Sequence, residues 1–190
     1  MNGKKLGFAL CGSFCTLERT LKTMAELAAA GWEIQPIMSP ITYETDTRFG
    51  AAEQWRDRVE GLCGRPIWHT VPQVEPIGPR KLLDILLVAP CTGNTLAKLA
   101  CGIADGPVTL AAKAHLRNER PIVLAVSTND ALAGNAPSIG TLLTRRHYYF
   151  VPFSQDNAAK KPRSMVAHFD LLPETIAAAL EGRQLQPLLA

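Results

Sequence analysis

Apolar residues fall along this chain in short unbroken runs, and the stretches between the runs carry apolar residues at helical spacing. Leu6 to Cys11 is the first run, and Gly12–Ser13 breaks it. From about Thr16 to Ala30, Leu17, Leu21, Met24 and Ala28 share one face of a predicted helix, which Gly31 ends where a left-handed residue is wanted. Trp32 to Met38 is extended again, so the chain opens with a βαβ unit. Ser39–Thr42 closes that strand, and Tyr43 to Gly50 reads as a polar loop. A helix over Ala51–Leu62 places Ala52, Trp55, Val59 and Leu62 on one side. Pro66, Pro72, Pro76 and Pro79 then predict an extended surface segment, with a short strand at Ile67–Val71.

Leu82 to Gly106 is the centre of the pattern. Asp84 to Ala89 runs through Ile, Leu and Val without polar alternation, as expected of a central parallel strand covered on both faces. Pro90 is expected to stop it, because it brings no N–H to the ladder. Cys91 to Thr95 forms a small polar turn, after which Leu96, Leu99, Ala100 and Ile103 keep helical period. A second helix starts at Pro107, with Val108, Ala111, Ala112 and His115 on one side, and His115 reads as a packing residue. Pro121 to Val126 is another apolar strand, ending in the polar turn Ser127–Asp130, which is expected beside the first turn. A helix over Pro137–Arg146, a strand over His147–Pro152, a polar loop over Ser154–Ser164 and a helix over Pro173–Gly182 complete the chain. With right-handed crossovers, this order predicts an α/β fold: a single doubly wound parallel sheet, Rossmann-like, with helices on both faces.

At 190 residues with 47% hydrophobic and 19% charged residues, the chain suits one well-buried domain, expected over 1–190. A net charge of +3, thinly spread, argues against a nucleic-acid surface. The start, MNGKK followed by LGFALCGSFC, mimics a signal peptide, but the apolar run is short and leads into Glu18 and Arg19, so a first strand is expected there. No stretch reaches the roughly 20 apolar residues of a membrane span. Cys11, Cys15, Cys63, Cys91 and Cys101 form no CxxC pair and suggest a reduced, cytoplasmic protein. With the scattered His69, His115, His147 and His168 they make no zinc pattern, so no metal is expected.

Chemistry collects at the predicted strand ends. Gly12–Ser13, Ser39, Cys91–Thr95 and Ser127–Asp130 are small, hydroxyl-bearing or amide residues. Each turn alone is explained by capping, since Ser, Thr, Asn and Asp are preferred there. Together on one sheet edge they point to a ligand site suited to a phosphate monoester and the polar rim of a heterocycle. They supply no acid or base at neutral pH, so the chemistry belongs to a cofactor. Gly12–Ser13 is not a GxGxxG, which speaks against a dinucleotide on this chain. Cys91 at a helix start reads as a buried small residue before a nucleophile. Ser13, His69 and Asp84 lack the GxSxG frame of a hydrolase. Arg48, Arg80, Lys113 and Arg117 are candidates to attract an acidic substrate, or are a solvated face.

PCTGNTLAKLACGIADGPV (Pro90 to Val108) resembles the motif of the flavin-containing cysteine decarboxylase-like flavoproteins. Adding TRFG (Thr47–Gly50), Gly78–Pro79, TGN (Thr92–Asn94), STNDAL (Ser127–Leu132), KKPRSMVA (Lys160–Ala167) and DLLPETI (Asp170–Ile176), the whole chain resembles, within that group, the dipicolinate synthase B-subunit family. The resemblance implies FMN as cofactor, around Gly12, Ser13, Ser39, Pro90, Cys91, Thr92, Asn94, Thr95, Ser127 and Asn129. It implies oxidation of a small dicarboxylate, a dihydrodipicolinate-type intermediate, to dipicolinic acid during sporulation. The A subunit of dipicolinate synthase would be the partner and would bring NADP or NAD. Small residues on the helices leave room for a homo-oligomer as well. Two departures from the decarboxylases stand out: Pro76 lies near the place of their catalytic histidine, and STND replaces their PAMN turn. An independent FMN-dependent decarboxylase and a non-catalytic partner protein are the alternative readings, and no catalytic residue is assigned.

Overall fold

The computed structural model describes residues 3–189; Met1 and Asn2 of the basic start, and Ala190, lie outside the described residues. The elements run β1 (Lys5–Leu10), α1 (Leu17–Ala29), β2 (Glu33–Met38), α2 (Pro40–Glu44), α3 (Ala52–Cys63), α4 (Val71–Val74) and β3 (Ile85–Cys91). They continue with α5 (Gly93–Cys101), α6 (Pro107–Leu116), β4 (Ile122–Thr128), α7 (Ala136–Leu143), β5 (Tyr148–Phe150), β6 (Phe153–Asn157), β7 (Lys161–Ala167) and α8 (Leu172–Leu180).

The fold is α/β, and its sheet is mainly parallel, with β2, β1, β3 and β4 in that order and β5 parallel beside the first half of β4. Because the chain steps one way from β1 to β2 and the other way from β3 to β4, right-handed crossovers put α1 on one face and α5 and α6 on the other. β3 is buried along its whole length, which explains its unalternated apolar sequence. The core is continuous from Leu6, Phe8 and Leu10 of β1 through β3 and β4 to Phe150 of β5.

Several expectations change. Pro90 does not end β3; it lies inside the strand, and the pairing with β4 shifts register between Val88 and Cys91 because Pro90 has no N–H to offer. The segment Ser154–Ser164 is not a loop. It forms most of the β6–β7 hairpin, whose β7 pairs antiparallel with the end of β4, Ser127 opposite Val166 and Thr128 opposite Met165. The sheet is therefore mixed at one edge. The hairpin's charged, mostly exposed residues carry no apolar alternation from which it could be read. In place of a strand at Ile67–Val71 there is one bridge, Ile37 to Trp68, followed by α4, since Pro66 and Pro72 withhold ladder donors. Pro40 starts the short α2, which replaces most of the expected strand closure at 39–42 and takes up the first two residues of the expected loop. Gly31, at φ 87°, stops α1 as expected. Gly102, at φ 72°, stops α5 before Ile103, which is 46% exposed.

Candidate functional site

β1 and β3 are neighbours whose following helices leave to opposite faces, so a crevice opens between their carboxyl ends. Gly12–Ser13 follows β1, Thr92 caps α5 directly after β3, and Ser127–Thr128 ends β4. Ser13 and Ser127 hydroxyls meet at 2.8 Å, tying the ends of β1 and β4 together across β3. Thr92 Oγ1 accepts the Thr95 backbone N–H at 3.4 Å, and Thr95 donates its hydroxyl to Cys11 Sγ at 3.2 Å. The N–H groups of Gly93 and Asn94, ahead of the capped Thr95, have no intrahelical acceptor and remain donors at the crevice.

Two adjoining cavities occupy the crevice. The larger, about 630 Å³, is bordered by Gly12–Cys15, Arg48–Phe49, Thr92–Asn94, Ser127–Asp130, Asn135 and the hairpin residues Asp156, Lys161, Ser164 and Val166. The smaller, about 260 Å³, lies among Cys11, Gly12, Ser39–Ile41, Thr92, Asn94, Thr95, Lys98 and Asp105–Thr109. Gly12, Thr92 and Asn94 line both. The starts of α5 and α6 therefore both reach the smaller cavity, with the Ser39 hydroxyl, which is 2.8 Å from Thr42 Oγ1.

Of the residues singled out in the sequence, Gly12, Ser13, Ser39, Thr92, Asn94, Thr95, Ser127 and Asn129 border one or both cavities. Pro90 and Cys91 are buried in β3 and border neither. Cys91 is the last residue of the strand, not the first of the helix, and burial, with Cys11 nearby, pushes its thiol well above the ordinary range. Burial also pushes the Cys11 thiol up to about 11, despite the Thr95 hydrogen bond. Arg48 borders the larger cavity, whereas Arg80, Lys113 and Arg117 border neither. Ser13, His69 and Asp84 have separate partners: Ser127, the face of Tyr43 at 3.7 Å, and the Lys5 N–H at 2.8 Å. His115 packs as expected, 1% exposed, with Nε2 3.1 Å from Pro121 O, and burial lowers its pKa to about 4. Pro76 lies in a 3-10 turn, Glu75–Ile77, and borders neither cavity.

The local sequence did not reveal a network under the start of α5. Thr128 Oγ1 donates to Asp130 Oδ1 at 2.5 Å, and Asn135 Nδ2 donates to Asp130 Oδ2 at 2.6 Å. Gly93 presses on this network: a Cβ there would lie 2.5 Å from Asn135 Nδ2 and 2.7 Å from both Asp130 Oδ1 and Thr128 Oγ1. Gly at the first helical position was the available signal, since it marks close approach of backbone to another group. Asn135 Oδ1 is buried in this region without a partner. On the far wall, Lys161 pairs with Asp156 at 2.6 Å, which raises the lysine's pKa.

The site thus offers hydroxyls, amides and helix-start N–H groups to a ligand, and its two flanking thiols, Cys11 and Cys91, stay protonated at neutral pH. Among the described residues no three His, Cys, Asp or Glu side chains are placed to hold a metal ion, and no helix is long and apolar enough to cross a membrane.

The family model described as Flavoprotein matches residues 1–138. The B subunit of dipicolinate synthase from Bacillus subtilis (strain 168) is 44% identical over 189 residues, covering 100% of this chain and 94% of that protein. The crystal structure of the dipicolinate synthase B subunit from Bacillus halodurans superposes with a TM-score of 0.91 at 43% identity, covering 100% of this chain and 98% of that one. An FMN-dependent cysteine decarboxylase, SpaF, shares the fold at a TM-score of 0.69 and 22% identity, over 94% of this chain and 96% of that one.

Proposed function

The chain belongs to the flavoprotein family, and from that premise we propose that it is the B subunit of a dipicolinate synthase. In this reading it works with an A subunit in oxidising a dihydrodipicolinate-type dicarboxylate to dipicolinic acid. The observation that carries the reading is the end-to-end likeness to a B subunit, which leaves no part of the site-bearing sheet edge outside the match.

The residues present fit FMN. The smaller cavity gathers the hydroxyls of Ser39, Thr92 and Thr95 with the starts of α5 and α6, a donor set suited to a phosphate monoester. Gly12, with a hypothetical Cβ only 3.0 Å from Ile41 Cγ2, keeps the wall between the cavities thin. Ser13, Asn94, Ser127 and Asn129 offer polar groups toward a ribityl chain and ring in the larger cavity. When bound, a flavin supplies a carrier for two electrons. The chain's own residues bind and orient. None of the hydroxyls and amides exchanges a proton readily at neutral pH. The nicotinamide nucleotide, NADP or NAD, belongs to the A subunit in this reading, in keeping with the missing dinucleotide fingerprint.

Pro76 borders neither cavity, which favours the shared synthase over an independent cysteine decarboxylase. Reconstitution tests the proposal. Purified A and B subunits, mixed with substrate and nicotinamide cofactor, should form dipicolinate, followed by its ultraviolet absorbance. The A subunit alone should fall at least about tenfold short, the scale of about 1.4 kcal/mol in the barrier. Equal activity without this chain would overturn the role. Full activity with both Ser13→Ala and Asn94→Ala in place would reduce the chain to a scaffold.

A further inference from the structure

Four side chains that carry charge at neutral pH line the larger cavity: Arg48, Asp130, Asp156 and Lys161. Asp156 and Lys161 neutralise each other at 2.6 Å. Among the described residues Arg48 and Asp130 are in no ion pair, which leaves the cavity with one free cation and one free anion. The two differ in how firmly they are held. Each Asp130 oxygen accepts one hydrogen bond, from Thr128 and from Asn135, and Gly93 backs the carboxylate, so its position is fixed. Each oxygen of a carboxylate has more than one lone pair, so Asp130 retains acceptor capacity beyond these two bonds. Arg48 sits on a loop between α2 and α3, with its guanidinium 4.9 Å from the centre of the neighbouring Phe49 ring.

We propose that Arg48 and Asp130 orient the substrate from its two kinds of polar group, with Arg48 taking a carboxylate and Asp130 accepting an N–H of the reduced ring. This deepens the function proposed above and rests on it for the kind of ring involved. The guanidinium offers the planar fork that suits a carboxylate. A carboxylate held in a partly buried cavity rejects a second anion and rewards a hydrogen-bonded nitrogen. Asn135, which borders the same cavity, holds Asp130 in place through its Nδ2, so the carboxylate is the acceptor turned to a ligand there.

The arrangement has a consequence for turnover. Aromatisation of a dihydro ring removes two electrons and two protons. The nicotinamide or flavin acceptor takes the electron pair and one proton, and the other proton passes to water. The reduced ring with N–H faces Asp130 as a donor, whereas the aromatic product turns a bare nitrogen lone pair toward it. Asp130 therefore holds the reduced ring and expels the pyridine.

Calorimetry with two diacids that differ at the ring nitrogen tests this. Piperidine-2,6-dicarboxylate carries a protonated ring amine, and pyridine-2,6-dicarboxylate has none. The chain, with and without FMN, should bind the piperidine diacid about tenfold or more tightly than the pyridine one, the scale of one charged hydrogen bond. Asp130→Asn should bring the two affinities together, and Arg48→Gln should weaken both by a similar factor. Equal affinities in the wild type, no binding of either diacid, or a preference unchanged in Asp130→Asn would overturn the inference; circular dichroism of each variant establishes that it is folded. The arms separate the two readings. A preference that persists when FMN fails to bind removes the flavin part of the proposed function alone. FMN binding without any preference removes the inference about Arg48 and Asp130 alone.

Discussion

After β3 the chain goes from Thr92 straight into α5, and after β4 it goes from Thr128 into a turn that closes on Asp130 before α7 begins at Ala136. Both turns are made of small polar residues, and in the sequence they look alike. In the structure their polarity is opposite. The first presents N–H groups and hydroxyls at the positive end of a helix, a donor surface. The second turns the Asp130 carboxylate inward on bonds from Thr128 and Asn135, an acceptor surface. They touch at Gly93. A ligand spanning the two cavities therefore meets donors at one end and an anion at the other, so its anionic end belongs with the donors.

Adding a methyl at the contact breaks the comparison most severely. Gly93→Ala would drive Cβ into Asn135, Asp130 and Thr128, groups already locked by short hydrogen bonds. The expected cost is about 1–3 kcal/mol of stability, the range for overpacking. FMN binding should weaken substantially as well, because both turns shift. Chemical denaturation and flavin fluorescence check the two parts, and a variant with unchanged values for both would show that the turns do not depend on each other.

His115 supplies a control remote from both turns, at the end of α6 against Pro121. Burial lowers its pKa from 6.5 to about 4, so the folded chain keeps it neutral while the unfolded chain takes up a proton. Stability contributed by neutral His115 is complete above about pH 6.5 and is lost as the pH falls toward 4. Denaturation midpoints should therefore drop over that window, and His115→Gln should flatten the drop. FMN affinity at neutral pH should not change in that variant, which sharpens the assignment of binding to the turns.

Thr92→Val is the mildest test. It removes the hydroxyl that caps Thr95 N–H and should cost about 1 kcal/mol, the usual value of a lost N-cap. FMN affinity should fall while the ratio of piperidine to pyridine diacid affinity stays as it is, because only the donor turn is altered. A change in that ratio would mean that the two turns do not divide donor and acceptor roles.

Much of this was legible in the sequence because it rests on local pattern. The unbroken apolar runs at Leu6–Cys11, Asp84–Ala89 and Pro121–Val126 became β1, β3 and β4, and the polar residues after them became the crevice. Where the reading failed, the deciding contact came from elsewhere in the chain. Pro90 looked like a stop, yet β3 passes through it with a register shift and pairs with β4 again at Cys91, opposite Val126. The hairpin at 153–167 owes its existence to the free edge at the end of β4, which no feature of its own charged residues announces. Cys91 fell on the strand side of the boundary by one residue and so lost the helix-start environment expected of it. Gly93 is distant in sequence from Asp130 and Asn135, and only the fold brings it against their network.

The central claim, that the donor turn and the smaller cavity hold the phosphate end of a flavin, is tested most directly by comparing FMN with riboflavin, which lacks the phosphate. Titrated into the purified chain and followed by flavin fluorescence, FMN should bind at least about tenfold more tightly than riboflavin, as expected for charge-assisted hydrogen bonds to a phosphate. Ser39→Ala together with Thr95→Val should erase most of that difference. Equal affinity for the two flavins, or no binding of FMN, would contradict the account.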